Sequence, residues 1–279
     1  MTFFVKYNTI MSKSNKPIPR FQTPIIETHC HLDYLDDETM TESLESAFEI
    51  GVEKIVTIAV SKANLNKVVD IANAHEKVYF TQGIHPHDAK DFDAEVESII
   101  RNNSKLEKML AVGEIGLDYF YDHCEPDIQK AAFSRQMQIA DDLDLPVVIH
   151  TREACDDMAS ILKNFEKTNK KRGVIHSFTS SLKLAEYCLS EGYFLGFNGI
   201  VTFNSAENVR EVLSMTPLDQ IVLETDAPYL TPIPYRGRPN HPKYLPFIAQ
   251  KVADVKNIDV EEVLQQCYIN SQKLFFENT

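Results

Sequence analysis

Short apolar runs recur eight times along this chain, and a helix-patterned segment follows each of them. Ile25 and Ile26 open the series. Lys54–Ala59, Val78–Ile84, Met109–Gly113, Pro146–Ile149, Gly173–Ile175, Tyr193–Phe197 and Gln220–Leu223 continue it. The intervening segments carry apolar residues at i, i+3 and i+4, as Leu44, Ala47 and Phe48 do within Glu38–Ile50. Two helices, near Tyr244–Val255 and Val260–Phe275, close the chain. The runs are near-continuously apolar rather than alternating, as parallel strands covered on both faces require. Eight β/α units in about 250 residues predict an α/β fold, the closed (β/α)8 TIM barrel. An open doubly wound sheet is the alternative, and the lack of a glycine-rich phosphate fingerprint after the first strand weighs against it. One domain is expected over residues 23–279. A flexible extension is expected over residues 1–22, where Ser12-Lys13-Ser14-Asn15-Lys16-Pro17 falls.

Active sites of such barrels lie at the C-terminal ends of the strands. There the chain places His29 and His31, then His85 and His87, Glu114, His150, His176 and Asp226. Alternate residues of a strand share a face, so His29 and His31 aim both imidazoles the same way. By itself a His-x-His pair is also compatible with polar decoration of a strand end, and Glu27 and Cys30 beside it are further possible ligands. Six of the nine histidines fall at strand ends, while His75, His123 and His241 read as helix-end or loop residues. A ring of imidazoles and carboxylates from several strands suits Zn²⁺, Mn²⁺ or a similar ion, with ligands enough for two.

The formal net charge of −13 favours solubility and argues against a protein that coats nucleic acid. It leaves room for a locally positive cleft, because bound ions bring their own charge. Five scattered cysteines with no Cys-x-x-Cys pair fit a reducing, cytoplasmic setting and argue against a thiolate zinc site. No run approaches the roughly 20 apolar residues of a membrane span, and no secretory signal pattern opens the chain.

Six motifs in order carry a resemblance: Thr28-His29-Cys30-His31-Leu32-Asp33, Gly83-Ile84-His85-Pro86-His87, Gly113-Glu114-Ile115-Gly116-Leu117-Asp118-Tyr119, Val148-Ile149-His150-Thr151-Arg152, His176-Ser177-Phe178 and Leu223-Glu224-Thr225-Asp226-Ala227-Pro228-Tyr229. Together they resemble the TatD family of metal-dependent deoxyribonucleases, within the amidohydrolase superfamily, from Ile25 to Phe275. One departure is visible: the first motif commonly opens with Asp, and Glu27 stands there. That position is not a metal ligand in the family.

The resemblance implies two divalent ions (Mg²⁺, Mn²⁺ or Zn²⁺). His29, His31 and Asp226 would hold one, His150 and His176 the other, and Glu114 would bridge them. Ions about 3.5–4 Å apart can activate a water and stabilise the attacking and leaving oxygens of a phosphodiester. Glu114 and Asp226 are then the catalytic carboxylates, with Asp226 accepting a proton. DNA, single-stranded or at its 3′ end, is the implied substrate, and no obligate protein partner is implied. The runner-up is a hydrolase acting on small esters or amides, or on aminoacyl-tRNA.

Several residues keep two readings. Glu224 either orients a ligand histidine or makes a buried salt bridge. Arg152 either takes a phosphate bidentately or pairs with an acid such as Glu153. His87 is the better exposed phosphate donor of the pair with His85. Arg236 and Arg238, in Tyr235-Arg236-Gly237-Arg238-Pro239-Asn240, either contact a nucleic-acid strand or belong to a solvated loop.

Overall fold

The computed structural model describes residues 16–277. Eight strands form one parallel sheet in chain order: β1 (Ile25–Cys30), β2 (Val52–Thr57), β3 (Val78–Gln82), β4 (Met109–Asp118), β5 (Val147–Arg152), β6 (Gly173–Ile175), β7 (Phe194–Phe197) and β8 (Ile221–Leu223). The helices between them are α1 (Asp37–Glu49), α2 (Leu65–Ala74), α3 (Ala94–Asn103), α4 (Pro126–Leu143), α5 (Cys155–Asn164), α6 (Leu182–Ser190) and α7 (Glu207–Met215), with α8 (Leu245–Lys256) and α9 (Val260–Phe275) after β8. This is the expected barrel. No helix among the described residues is long and apolar enough to cross a membrane.

The continuous apolar strands serve two cores at once. Ile55, Met109, Val147, Ile149, Ile175, Ile221 and Leu223 pack outward in a large cluster with residues of the helices. Their neighbours Val56, Leu110, Val148, Val174 and Val222 form a separate cluster, joined by Leu274 and Phe275 of α9. Successive residues of a strand point to opposite faces, so the second cluster is the interior of the barrel. Burying a Val or Leu side chain is worth about 1.5–3 kcal/mol, and each strand gains this on both faces.

The seam between β8 and β1 closes at the site end. The His29 carbonyl accepts from the Asp226 N–H at 2.9 Å, and the His31 N–H donates to the Ala227 carbonyl at 2.7 Å. Beneath them Glu27 accepts from the Thr225 N–H at 2.9 Å and from its hydroxyl at 2.6 Å.

Among the strand boundaries that differ from expectation, two bear on the site. β3 stops at Gln82, and Pro86–Asp91 forms a short 3-10 helix instead. β4 runs through Asp118, so Glu114 lies inside the strand and not at its end. Gly113 and Gly116 read as strand breakers, yet Gly116 pairs with His150. Its φ of +141° and its closeness to β5 demand glycine, since a Cβ there would lie 2.0 Å from the His150 carbonyl oxygen.

Of the expected extension, residues 1–15 lie outside the described residues. The part that follows rests on the body: Arg20 donates to the Glu49 carbonyl at 2.8 Å, and the Gln22 and Thr23 N–H groups donate to the Glu261 carboxylate.

Candidate metal centre

The two-residue period that sorts the strands into two cores also aims the polar ring above the inner one. Val148, Val174 and Val222 point inward, and His150, His176 and Glu224 stand two residues further along. On β1, Cys30 belongs to the outer core. Glu27, His29 and His31, of the opposite parity, face inward, so Cys30 packs in the wall and is no ligand.

These side chains meet around Glu114, which is 2% exposed. Its Oε2 faces His29 Nε2 at 3.5 Å. Its Oε1 faces His176 Nε2 at 2.8 Å and His150 Nδ1 at 3.1 Å. Asp226 completes the first group, with Oδ1 at 3.3 Å from His31 Nε2 and 3.7 Å from His29 Nε2. Burial opposes charge on Glu114, but His176, His85 and the hydrogen bond from His150 hold its pKa well below the ordinary carboxylate range. Burial likewise opposes charge on His176, and the Glu114 carboxylate overrides it, raising that imidazole well above its usual value. For His29, burial and the neighbouring His176 prevail, and its pKa falls.

A second layer of carboxylates orients the first. Asp118, 1% exposed, accepts at Oδ2 from His150 Nε2 and from His87 Nε2, each at 3.0 Å. That bond places a His150 proton on Nε2 and turns Nδ1 toward Glu114. Asp118 Oδ1 accepts from the Phe120 and Tyr121 N–H groups at 3.0 and 3.2 Å. Glu224 lies with Oε1 3.6 Å from His176 Nδ1, an ion-pair distance and not a hydrogen bond. It accepts from the Ser177 N–H at 2.6 Å. Room for it is left by Gly196 on β7, where a Cβ would lie 2.4 Å from Glu224 Oε2. Glu27 accepts from the His29 N–H at 3.1 Å, and burial lifts its pKa to about 8. Asp33 accepts from the Asn64 side chain at 3.0 Å and takes no part in the ring.

The ring suits a divalent ion on its own chemistry. His29 Nδ1, His29 Nε2, His31 Nδ1 and His176 Nδ1 are buried with no hydrogen-bond partner, an arrangement that normally costs about 1–3 kcal/mol per group. His150 Nδ1 and His176 Nε2 face each other at 3.3 Å, as two ligands of one ion do. Ligand atoms bound at about 2.0–2.1 Å sit about 2.8–3.4 Å from one another, and the Glu114, His150 and His176 atoms match that spacing. Three groups are spaced to hold a metal: His29, His31 and Glu114; His29, His176 and Glu224; and His85, Glu114 and His150. His85 Nδ1 accepts from the His87 N–H at 3.2 Å. Its proton is therefore on Nε2, 3.5 Å from Glu114 Oε1, which makes His85 a donor and not a ligand in that tautomer.

A family model described as "TatD related DNase" matches residues 26–276. The chain belongs to the TatD family. It is 35% identical to the Bacillus subtilis protein named "Uncharacterized metal-dependent hydrolase YabD", over 90% of this chain and 98% of that one. It is 34% identical to the "3'-5' ssDNA/RNA exonuclease TatD" of Erwinia tasmaniensis, over 83% of this chain and 92% of the relative. The crystal structure of the Escherichia coli TatD homologue YJJV superposes with a TM-score of 0.85 at 31% identity, covering 90% of this chain and 97% of that one. An organophosphorus hydrolase mutant shares the fold at a TM-score of 0.62 and 14% identity. The protein is thus a metal-dependent hydrolase of the TatD family.

A cavity of about 630 Å³ opens over the ring and includes His31, Glu114, His150, His176 and Asp226 in its walls. Of the residues expected to meet substrate, His87 and Arg152 line it; Arg236 and Arg238 do not. Arg152 pairs with no acid among the described residues, and its guanidinium lies over the Phe120 ring at 3.8 Å and the Tyr121 ring at 4.9 Å. Arg236 instead covers the Phe203 ring at 4.1 Å, and Arg238 the Tyr235 ring at 5.1 Å. Asp118 is the participant that the sequence reading left without a role. Its signal was its place four residues beyond Glu114 in the same motif, visible once β4 is seen to continue.

Proposed function

We propose that this TatD-family chain is a two-metal phosphodiesterase that removes nucleotides from the 3′ end of single-stranded DNA. One observation carries the reading. The two oxygens of the buried Glu114 carboxylate are divided between two sets of imidazoles, His29 on one side and His150 with His176 on the other. In this reading His29, His31, Asp226 and Glu114 hold one ion, and Glu114, His150 and His176 hold the second. When bound, such ions supply Lewis acidity toward a phosphodiester and make water acidic enough to attack at neutral pH.

The protein groups do the positioning. Asp226 is the most exposed carboxylate of the ring, its side chain 14% accessible against 3% for Glu114 and 1% for Asp118. Burial opposes its charge, but the hydrogen bond from His31 and the field of His29 keep its pKa low. It stands ionised at the cavity floor, ready to take a proton from the attacking water. His85 directs Nε2–H toward the Glu114 side of the cavity, where it can donate to a phosphate oxygen. Arg152 adds a fixed positive charge at the rim of a protein whose net charge is −13, where a polyanion otherwise finds little attraction. The exonuclease name of the Erwinia relative supports the choice of substrate.

Digestion of end-labelled single-stranded DNA, with EDTA or with added Mg²⁺, Mn²⁺ or Zn²⁺, tests this. The expected result is a metal-dependent ladder receding from the 3′ end. Intact DNA under every metal, with hydrolysis of a simple carboxylic ester, would move the protein to the small-molecule hydrolases.

A further inference from the structure

Large apolar side chains seldom stay exposed together unless something uses them. Four aromatic residues around the cavity do: Tyr34 is 48% exposed, Tyr229 54%, Phe120 48% and Tyr121 43%. They form two groups. Tyr34 and Tyr229 lie 6.1 Å apart, ring centre to ring centre, beside His31, with Tyr34 stacked on that imidazole at 5.2 Å. Phe120 and Tyr121 lie 4.8 Å apart, and the Arg152 guanidinium rests over both rings. The first group follows β1 and β8, the second follows β4. In a closed ring of eight strands taken in chain order, these positions face each other across the mouth. Tyr34 and Tyr229 line one side of the cavity, Tyr121 and Arg152 another, and Glu114 is also in its wall.

We infer that the mouth is a two-sided base clamp: one nucleobase stacks against Tyr34 and Tyr229, the next against Tyr121 and the Arg152 guanidinium, and the phosphodiester joining them lies over Glu114. This rests on the nucleic-acid substrate proposed above and adds which features of it are recognised. Aromatic rings stack on any base, because every base has a π-face, and a planar guanidinium does the same. The clamp therefore reads the presence of a base on each side of the bond and not its identity. It disfavours a substrate with one aromatic group or none, such as a terminal phosphate monoester or an alkyl ester.

The second wall is built in advance. Asp118 Oδ1 holds the Phe120 and Tyr121 N–H groups while its Oδ2 holds His150. The same carboxylate thus sets a ring of the ion-binding cluster and the loop that carries the stacking platform. Arg152 follows His150 by two residues on β5, so its position is tied to the same strand. The first wall is tied in the same manner, since Tyr229 follows Asp226, whose carbonyl accepts the Tyr229 N–H at 2.9 Å.

The test reads stacking directly. The full-length, as-purified protein is mixed with a short single-stranded oligonucleotide that carries 2-aminopurine in one of its last two positions and cleavage-resistant phosphorothioate linkages. Stacking should quench the fluorophore at both positions. Tyr229→Ala should abolish the quench at one position and Tyr121→Ala at the other, each weakening binding on the order of tenfold. Tyr229→Phe and Tyr121→Phe should restore both, which separates loss of the ring from loss of fold. A strand with abasic sites at the last two positions should bind on the order of a hundredfold more weakly. Equal quenching in wild type and both alanine variants, no quenching in wild type, or equal binding of the abasic strand would each overturn the clamp. Cleavage of the all-phosphodiester strand is scored separately: quenching without cleavage under any metal sinks the nuclease reading and leaves the clamp standing.

Discussion

The two halves of the ion-binding ring are built differently. Around β4, β5 and β6, the Glu114, His150 and His176 atoms approach within 2.8–3.3 Å, and Asp118 fixes His150 from behind. Around β1 and β8, Asp226 stands 3.3 Å from His31 and 3.7 Å from His29, and both nitrogens of His29 lack hydrogen-bond partners. In the first half the protein fixes His150 through Asp118 and leaves only His176 Nδ1 without a hydrogen-bond partner. The second leaves its nitrogens to whatever binds there. In the two-ion reading proposed above, an ion in the first half would meet the more organised site, and an ion in the second half would supply more of the order itself. Glu114, shared by both, is the one residue whose loss should not discriminate between them.

That contrast can be broken by substitution. Glu114→Gln has the largest expected effect: hydrolysis falls on the order of a thousandfold, and metal analysis shows both ions weakened. Near wild-type turnover would remove Glu114 from the centre. Asp226→Asn should lower the rate about a hundredfold or more by removing a proton acceptor, while the ion of the β4–β6 half is retained. If that ion were lost as well, the halves would not be separable. Asp118→Asn should weaken metal affinity or activity about 10–100-fold, with the loss confined to the organised half in a metal titration. An equal loss at both ions would show that the organisation does not come from Asp118. Smallest is Glu27→Gln, at about 1 kcal/mol or less in denaturant unfolding, because an amide can still accept from the His29 and Thr225 N–H groups. Glu27→Ala leaves those donors buried without partners and should cost about 1–3 kcal/mol. Equal costs would mean that packing, not hydrogen bonding, holds the seam.

The parallel sheet was legible because each strand had to be apolar on two faces, as Val56, Val148, Val174 and Val222 beside their outward neighbours are, and the count of eight β/α units favoured the barrel over an open sheet. The ring was legible for a related reason. Once strand ends are located, His150 and His176 must extend the inward series. β4 was hidden because glycine usually stops a strand, and nothing in a linear pattern shows that Gly116 lies against His150. With β4 cut short, Asp118 fell outside the site. The choice among the arginines was equally out of reach. Arg152, Arg236 and Arg238 each lie over an aromatic ring, and only the folded chain brings one of them to the cavity.

The seam at Glu27 and Thr225 joins residues 198 apart in the chain. The β4–β6 half, by contrast, lies within residues 114–176 and can be assembled while the remainder of the polypeptide is still being made. His29 and His31 emerge early and must wait for Asp226, which arrives only with the last strand. A partly synthesised chain therefore carries at most half of the candidate ring, and the full set of side chains comes together only when the barrel shuts.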